Sequence, residues 1–278
     1  MSSVESVEDL THLEFSPNLT TFDFSIAISK FYNVINVKMK ALILAGGKGT
    51  RLLPLTKKIN KHLLIINRKP MILYVIDNVA SSGLNEIVIV YNKLGKDIRR
   101  VVTRYVKSAH PEVKLKFVFE RGAVKGIAHS ILEAERAIGN SNFIVIFGDV
   151  IFEIAQKKYI KDFSKKRLDA KLLLSRSKKP ENHASVFFKH SKLDKIIEKC
   201  KRPRNNIVVT TYDIYNSKVW KYIKNLTPSS RGELEISDIR NLMIKNHNVG
   251  YSYVKGWWID AGTPENIKKV AKLLKNKK

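Results

Sequence analysis

Short apolar runs rich in β-branched residues alternate along this chain with longer stretches where apolar residues recur every three or four positions. The runs fall at residues 41–44, 63–66, 86–91, 114–119 and 142–147, each the length of a buried strand. Between them, residues 70–82 carry Ile72, Leu73, Val75, Ile76 and Val79 on one helical face, with Pro70 at the first turn. Residues 96–108 and 127–138 follow the same rule. Strands alternating with helices predict a mainly parallel sheet covered on both faces. Beyond Lys171 the strands crowd together, at 172–174, 185–188, 196–197 and 207–212, before helices return at 235–246 and 264–274. The expected fold class is α/β, a mainly parallel mixed sheet flanked by helices.

That pattern begins abruptly at Met39. Residues 1–15 are acidic and serine-rich, without a basic start or an apolar stretch, so they do not read as a secretory signal. Residues 16–38 have weak periodicity. Either 1–38 is a mobile, disordered extension, or translation starts at Met39. There is no internal repeat and no long linker after it, so 39–278 is expected to be one domain.

Composition narrows the classes. The 278 residues suffice for a sizeable core, and 44% apolar content excludes a wholly disordered chain. No apolar run approaches the roughly 18 to 20 residues of a membrane span. The single cysteine, Cys200, excludes an internal disulfide and a cysteine zinc cage. It agrees with a reducing compartment, and a cytoplasmic location is expected. The net charge of +26, from 51 Lys+Arg against 25 Asp+Glu, would attract nucleic acid and polyphosphate alike. The lysines are spread along the chain, and no zinc-finger or RNA-recognition spacing accompanies them, so nucleic acid is the less favoured partner.

The chemistry concentrates after the first strand, in Leu44-Ala45-Gly46-Gly47-Lys48-Gly49-Thr50-Arg51-Leu52. Three glycines let backbone N–H groups turn toward a phosphate. Lys48 and Arg51 add charge and Thr50 a hydroxyl. The loop follows a parallel strand, where open α/β sheets hold ligands. It is not a P-loop, because Gly49 stands where Ser or Thr should follow Lys48. Nor is it a dinucleotide fingerprint, which needs a small residue at Leu52. A tight turn without a ligand is the plain alternative.

This segment, with Pro54, Thr56 and Asn60-Lys61-His62-Leu63-Leu64, resembles the signature of sugar-phosphate nucleotidyltransferases, most closely the short glucose-1-phosphate thymidylyltransferases. Gly126-Ile127-Ala128-His129, Phe147-Gly148-Asp149, Glu198-Lys199, the stretch from Arg231 to Asp238 and the stretch from Gly256 to Thr263 extend the resemblance in order. The resemblance implies a nucleotide-diphospho-sugar transferase type of Rossmann-like fold. It also implies Mg²⁺-dependent nucleotidyl transfer from a nucleoside triphosphate, dTTP or UTP first, to a hexose 1-phosphate, glucose 1-phosphate first, with release of pyrophosphate. A homo-oligomer is in keeping with it. Arg51 would hold the leaving phosphates and Lys61 the α-phosphate. Leu44, Ala45, Gly46, Gly47, Gly49, Thr50, Arg121 and Gly126 would bind the nucleotide. Asp149 and Asp260 would be the metal ligands, and Ala184, Glu198, Lys199 and Thr210 would receive the sugar phosphate.

Some positions depart from the family. Arg121 replaces the glutamine that reads the pyrimidine, and arginine only donates. Val150 replaces an asparagine, Ala184 and Thr211 replace glycines, and His183 replaces a tyrosine. The chemical residues survive while the specificity residues drift, which implies an active enzyme with altered preference. A non-catalytic nucleotide-binding homologue and a basic nucleic-acid-binding protein are the other classes. The aspartates decide among these. They must meet at the glycine-rich turn.

Overall fold

The structure is a computed structural model and describes residues 39–121 and 126–276; the expectations for residues 1–38 lie outside it. The chain runs through β1 (Met39–Leu44), β2 (Ile65–Ile66), β3 (Lys69–Pro70), α1 (Met71–Ser81), β4 (Glu86–Tyr91), α2 (Lys96–Ala109) and β5 (Lys114–Phe119). Next come α3 (Ile127–Glu133), α4 (Glu135–Ile138), β6 (Asn142–Phe147), β7 (Val150–Phe152), α5 (Lys157–Lys165), β8 (Ala170–Arg176), β9 (Ala184–Lys189) and β10 (Lys192–Glu198). It finishes with β11 (Ile207–Tyr215), α6 (Val219–Lys224), α7 (Ile236–Asn246), β12 (Val249–Tyr253), β13 (Trp258–Asp260) and α8 (Pro264–Lys275).

Among the described residues nine strands form one sheet in the order β10-β9-β11-β6-β1-β4-β5, with β8 pairing both β11 and β12. Strands β6, β1, β4 and β5 are mutually parallel. β11 joins β6 antiparallel, and the β9–β10 hairpin extends that side. The sheet is therefore mixed and divided. The half built by βαβ crossovers is parallel, and the half where strands crowd together is mostly antiparallel, as short connections require.

Alternation along β1 explains the two covered faces. Ala41 and Ile43 enter one core with Ile72 and Ile76 of α1, Ile98 and Val102 of α2, and Phe163 of α5. Leu42 and Leu44 enter the other with Ala128 and Ile131 of α3, Trp220 of α6 and Ile239 of α7. A strand buried on both sides reads as a continuous apolar run, which is why its sequence shows no polar face.

The parallel half gathers loops at one edge. Leu44 is in register with Phe147, and Val90 with Leu44 and Val118. The segments after β1, β4, β5 and β6 therefore leave the sheet side by side. Gly148 N–H donates to the Leu44 carbonyl at 2.9 Å and Ala45 N–H to that of Val90 at 2.8 Å. Separately, β7 and β13 pair antiparallel, with Asp260 opposite Val150.

Two expected elements differ. Residues 63–66 do not form one strand: Lys61–Leu63 is a 3-10 turn and only Ile65–Ile66 pairs. Asn60 is the cause, since its side chain accepts the His62 N–H and caps the turn. The helix expected over 127–138 is interrupted at Ala134, where its N–H bonds to Ile131, three residues back, in 3-10 fashion.

Candidate functional site

The glycine-rich segment is held from three sides. The Asn60 amide donates to the Ala45 carbonyl at 3.1 Å, the Thr56 hydroxyl donates to the Gly49 carbonyl at 2.7 Å, and the Asn92 amide donates to the Gly46 carbonyl. Gly49 itself has φ +68°, the left-handed region, and a Cβ there would lie 2.9 Å from Thr56 Cγ2. Only glycine meets both conditions without strain. The turn is thus a fixed shape, closed by a short 3-10 helix at Thr50–Leu52 with Leu52 buried and Arg51 exposed.

Asp149 follows β6 and is buried. Its carboxylate pairs with the Lys61 ammonium. Burial alone would raise the Asp149 carboxyl; the Lys61 charge outweighs burial and holds it below the usual carboxylate range. His62 is also buried, and its Nδ1 lies 2.6 Å from Asn60 Oδ1. Burial pushes this imidazole down to about 3, against the pull of Asp149 and with the push of Lys61. It is a neutral packing partner, stacked where a Cβ on Gly148 would come within 2.8 Å of it.

Asp260 arrives from the far end of the chain. Its position is set by the β7–β13 ladder, which continues one step as Ala261 N–H donates to the Asp149 carbonyl at 2.9 Å. The two aspartates are therefore neighbours across a pair of strands, although 111 residues separate them in the sequence. Asp260 Oδ1 accepts Gly262 N–H at 2.7 Å, and Oδ2 faces the Arg51 guanidinium at 3.4 Å. A Cβ on Gly262 would lie 2.7 Å from both groups. Each aspartate is thus paired with a cation from the segment after β1.

A cavity of about 580 Å³ opens over this edge, lined by Leu44, Gly46, Gly47, Lys48, Lys61, Asp149, Glu120, Gly126 and Ser130 among others. Its volume falls in the range of small-ligand pockets. Gly126 has φ +115°, and a Cβ on it would lie 2.3 Å from the Leu234 carbonyl oxygen. Absence of a side chain lets α3 press against that backbone.

The residues expected to receive the sugar phosphate form a second group. Ala184 is in register with Glu198 across the β9–β10 hairpin. Glu198 accepts a hydrogen bond from the Ser237 hydroxyl at 3.1 Å, and Lys199 N–H donates to the His183 carbonyl at 3.2 Å. His183 links the two groups. Burial lowers its pKa, opposed by the carboxylates of Asp260 and Glu198. Thr210 is fully buried beside the irregularity in β11, and its hydroxyl donates to the Leu173 carbonyl at 2.9 Å. A phosphate offers only acceptors, so this hydroxyl would have to leave Leu173 to meet one. Arg121 is exposed and outside the cavity lining; its carbonyl accepts from His129. The preceding residue, Glu120, lines the cavity instead.

Sequence reasoning assigned no site role to Glu120, His62, His183, Asn60 or Asn92, though it quoted Asn60 and His62 in the signature and His183 as a departure from it. Asn60 had a signal, as an N-cap residue directly before a turn. The others had none, because their meaning lies in what the sheet brings beside them.

Among the described residues, no group of three or more His, Cys, Asp or Glu could hold a metal. A magnesium ion does not need one. It binds through one or two carboxylates together with waters and substrate phosphates, and the Asp149–Asp260 pair fits that donor set. Among the described residues no helix is long and apolar enough to cross a membrane.

Residues 40–277 match the family described as nucleotidyl transferase. A bifunctional sugar-1-phosphate nucleotidylyltransferase/acetyltransferase of Sulfurisphaera tokodaii is 31% identical over 82% of this chain, and the match spans about half of that protein (54%). A glucose-1-phosphate thymidylyltransferase of Neisseria meningitidis is 29% identical, covering 84% of this chain and 81% of the relative. Among solved structures, a Bacillus anthracis protein crystallised with sucrose and assigned as a glucose-1-phosphate thymidylyltransferase superposes with a TM-score of 0.77 at 36% identity. That match covers 84% of this chain and 94% of the other. These matches converge on one kind of chemistry.

Proposed function

The chain belongs to the nucleotidyl transferase family, and on that footing we propose that it joins the nucleotidyl group of a nucleoside triphosphate to a hexose 1-phosphate. The names of the thymidylyltransferase relatives support dTTP as donor and glucose 1-phosphate as acceptor, with UTP the other pyrimidine donor in this reading. The observation that carries the reading is the meeting of Arg51 with Asp260 and of Lys61 with Asp149 at the edge bearing the glycine-rich turn.

In the proposed reaction a sugar-phosphate oxygen attacks the α-phosphorus. A new P–O bond forms as the bond to the β-phosphate bridge breaks, and pyrophosphate departs. Both reactants are anions, so catalysis consists of charge neutralisation and alignment. The backbone amides of Gly46–Thr50 and the Arg51 guanidinium bind the leaving phosphates. Lys61, released from its pair with Asp149, binds the α-phosphate. Asp149 and Asp260 would hold Mg²⁺, which when bound neutralises phosphate charge. Lys199 receives the sugar phosphate and Glu198 accepts sugar hydroxyls. Thr210 contributes as a support for the strand at that end. A cytoplasmic setting and a homo-oligomeric assembly belong to the same reading.

The test crosses dTTP, UTP, GTP, ATP and CTP with several sugar 1-phosphates and measures pyrophosphate. Release must need both reactants and a divalent cation. Asp149→Asn and Arg51→Ala should lower turnover by about two orders of magnitude or more, as loss of a preorganised transition-state contact does, while leaving the fold intact by circular dichroism. Silence from every pair would remove the proposal.

A further inference from the structure

Helix α2 carries its charge on one side. Lys96, Arg99, Arg100, Thr103, Arg104 and Lys107 recur at helical spacing and line a shallow hollow on its outer face. The five cations are exposed, while Ile98, Val102 and Val106 on the opposite face are buried in the core. The helix packs beside β5, the last strand of the sheet, and the Arg99 guanidinium lies 6.0 Å from the Phe117 ring at that rim. Exposed Lys114 and Lys116 alternate with Leu115 and Phe117, so they carry positive charge onto the other face of the same strand. Residues 93–117 hold eight Lys+Arg against two acids, Asp97 and Glu112. Asp97 meets Arg100 at 3.1 Å; among the described residues no carboxylate pairs with Lys96, Arg99, Arg104 or Lys107. Like charges three and four residues apart on a helix repel, so this face weakens the fold unless an anion covers it.

A phosphodiester backbone suits the face. From Lys96 to Lys107 the helix rises about 16 Å, at about 1.5 Å per residue. Over that length one strand of a duplex passes about five phosphates, at about 3.4 Å each. Three of the five cations are arginines, whose planar forks meet phosphate oxygens in pairs. The lysine rows on α5 (Lys157, Lys158, Lys161, Lys165) and α8 (Lys268, Lys269, Lys272, Lys275) contain none. An anionic membrane is the poorer match. A helix lying in a bilayer surface inserts its apolar face, and that of α2 is spent in the core, with no large exposed apolar side chain among its residues. We infer that the outer face of α2 binds nucleic acid through backbone phosphates, without selecting a sequence. It shares no lining residue with the cavity beside the glycine-rich turn, and it does not depend on the transfer reading.

Fluorescence anisotropy with the full chain and a labelled duplex of roughly 20 base pairs, from about 50 to 200 mM salt, tests the inference. Arg99→Gln, Arg100→Gln, Arg104→Gln and Lys107→Gln together should lower the slope of log K against log salt by about three to four, at about 0.9 per phosphate contact, and weaken binding about tenfold or more. Lys268→Gln, Lys269→Gln, Lys272→Gln and Lys275→Gln remove equal charge from α8 and should change the slope by less than about one. Arg99→Lys, Arg100→Lys and Arg104→Lys together keep the charge and should keep the slope; loss of the slope there too would trace the effect to folding and count against the face. Equal weakening by the two glutamine sets would mean diffuse attraction by the net charge of +26 and overturns the inference, as does absence of binding at the lowest salt. Vesicles of phosphatidylserine and phosphatidylcholine that capture the unaltered protein but not the α2 glutamine variant, with duplex affinity alike in the two, would assign the face to a membrane and overturn it as well.

Discussion

His62 should make this protein lose stability well above the pH at which carboxylates protonate. In the folded chain burial pushes its imidazole to about 3 from an ordinary 6.5. The unfolded chain therefore binds a proton near pH 6.5, and the folded chain does not follow until about 3. Between those values the unfolded state holds more protons, so stability falls as pH falls. At pH 6.5 the unfolded imidazole is only half protonated, so at about 1.4 kcal/mol per full unit the fall to pH 4.5 amounts to roughly 2 kcal/mol. The carboxyls of Asp149, Asp162 and Asp169 are held low in the fold, but their contribution is lost only below the unfolded value of 3.8, outside this window. His183 is also lowered and adds in the same direction. The assay is urea unfolding at pH 6.5, 5.5 and 4.5 for the protein and for His62→Asn, whose amide can still donate to Asn60. The variant should start less stable, and its decline over the window should be about 2 kcal/mol smaller. Equal declines would mean that His62 takes up its proton in the fold, and the account of it as a neutral wedge beside Gly148 would fail.

Gly126→Ala puts a Cβ 2.3 Å from the Leu234 carbonyl at a φ of +115°; thermal unfolding should show a loss of roughly 2 to 4 kcal/mol, because backbone sits on both sides of the clash. Arg240→Leu leaves Asp213, fully buried and paired with Arg240 at 2.9 Å, without its countercharge, and urea unfolding should record a loss of about 3 to 5 kcal/mol. Replacing both, as Arg240→Leu with Asp213→Asn, should restore part of it, and no restoration would argue that the loss is one of packing. Arg51→Lys keeps the charge but not the planar fork facing Asp260; steady-state kinetics should show kcat/KM reduced by about tenfold or more. Chelation should abolish pyrophosphate release, and added Mg²⁺ should restore it without any change in circular dichroism.

Local physics made the parallel half of the fold legible. The runs at 86–91 and 142–147 coincide with β4 and β6, because strands buried on both faces are mostly apolar, and 114–119 coincides with β5, an edge strand in which exposed Lys114 and Lys116 alternate with apolar residues. The helix over 70–82 was equally plain, since α1 buries Ile72, Leu73, Val75, Ile76 and Val79. The glycine-rich turn was legible because φ +68° at Gly49 and close backbone approach exclude other side chains. Identity at these positions follows from needs that a few neighbouring residues settle among themselves.

What the chain alone could not state is which distant residues meet. Asp149 and Asp260 are one ladder step apart only because β7 and β13 pair antiparallel, and two three-residue strands carry too little periodicity to announce that pairing. Glu120 and Arg121 are adjacent polar residues with no sequence signal to rank them; the end of β5 turns the first into the cavity and leaves the second exposed. His62 reads like any histidine until burial decides that it stays neutral. Propensity and periodicity act over a few residues, whereas pairing register, burial and charge proximity are set by chain segments far apart in sequence, and those settled the site.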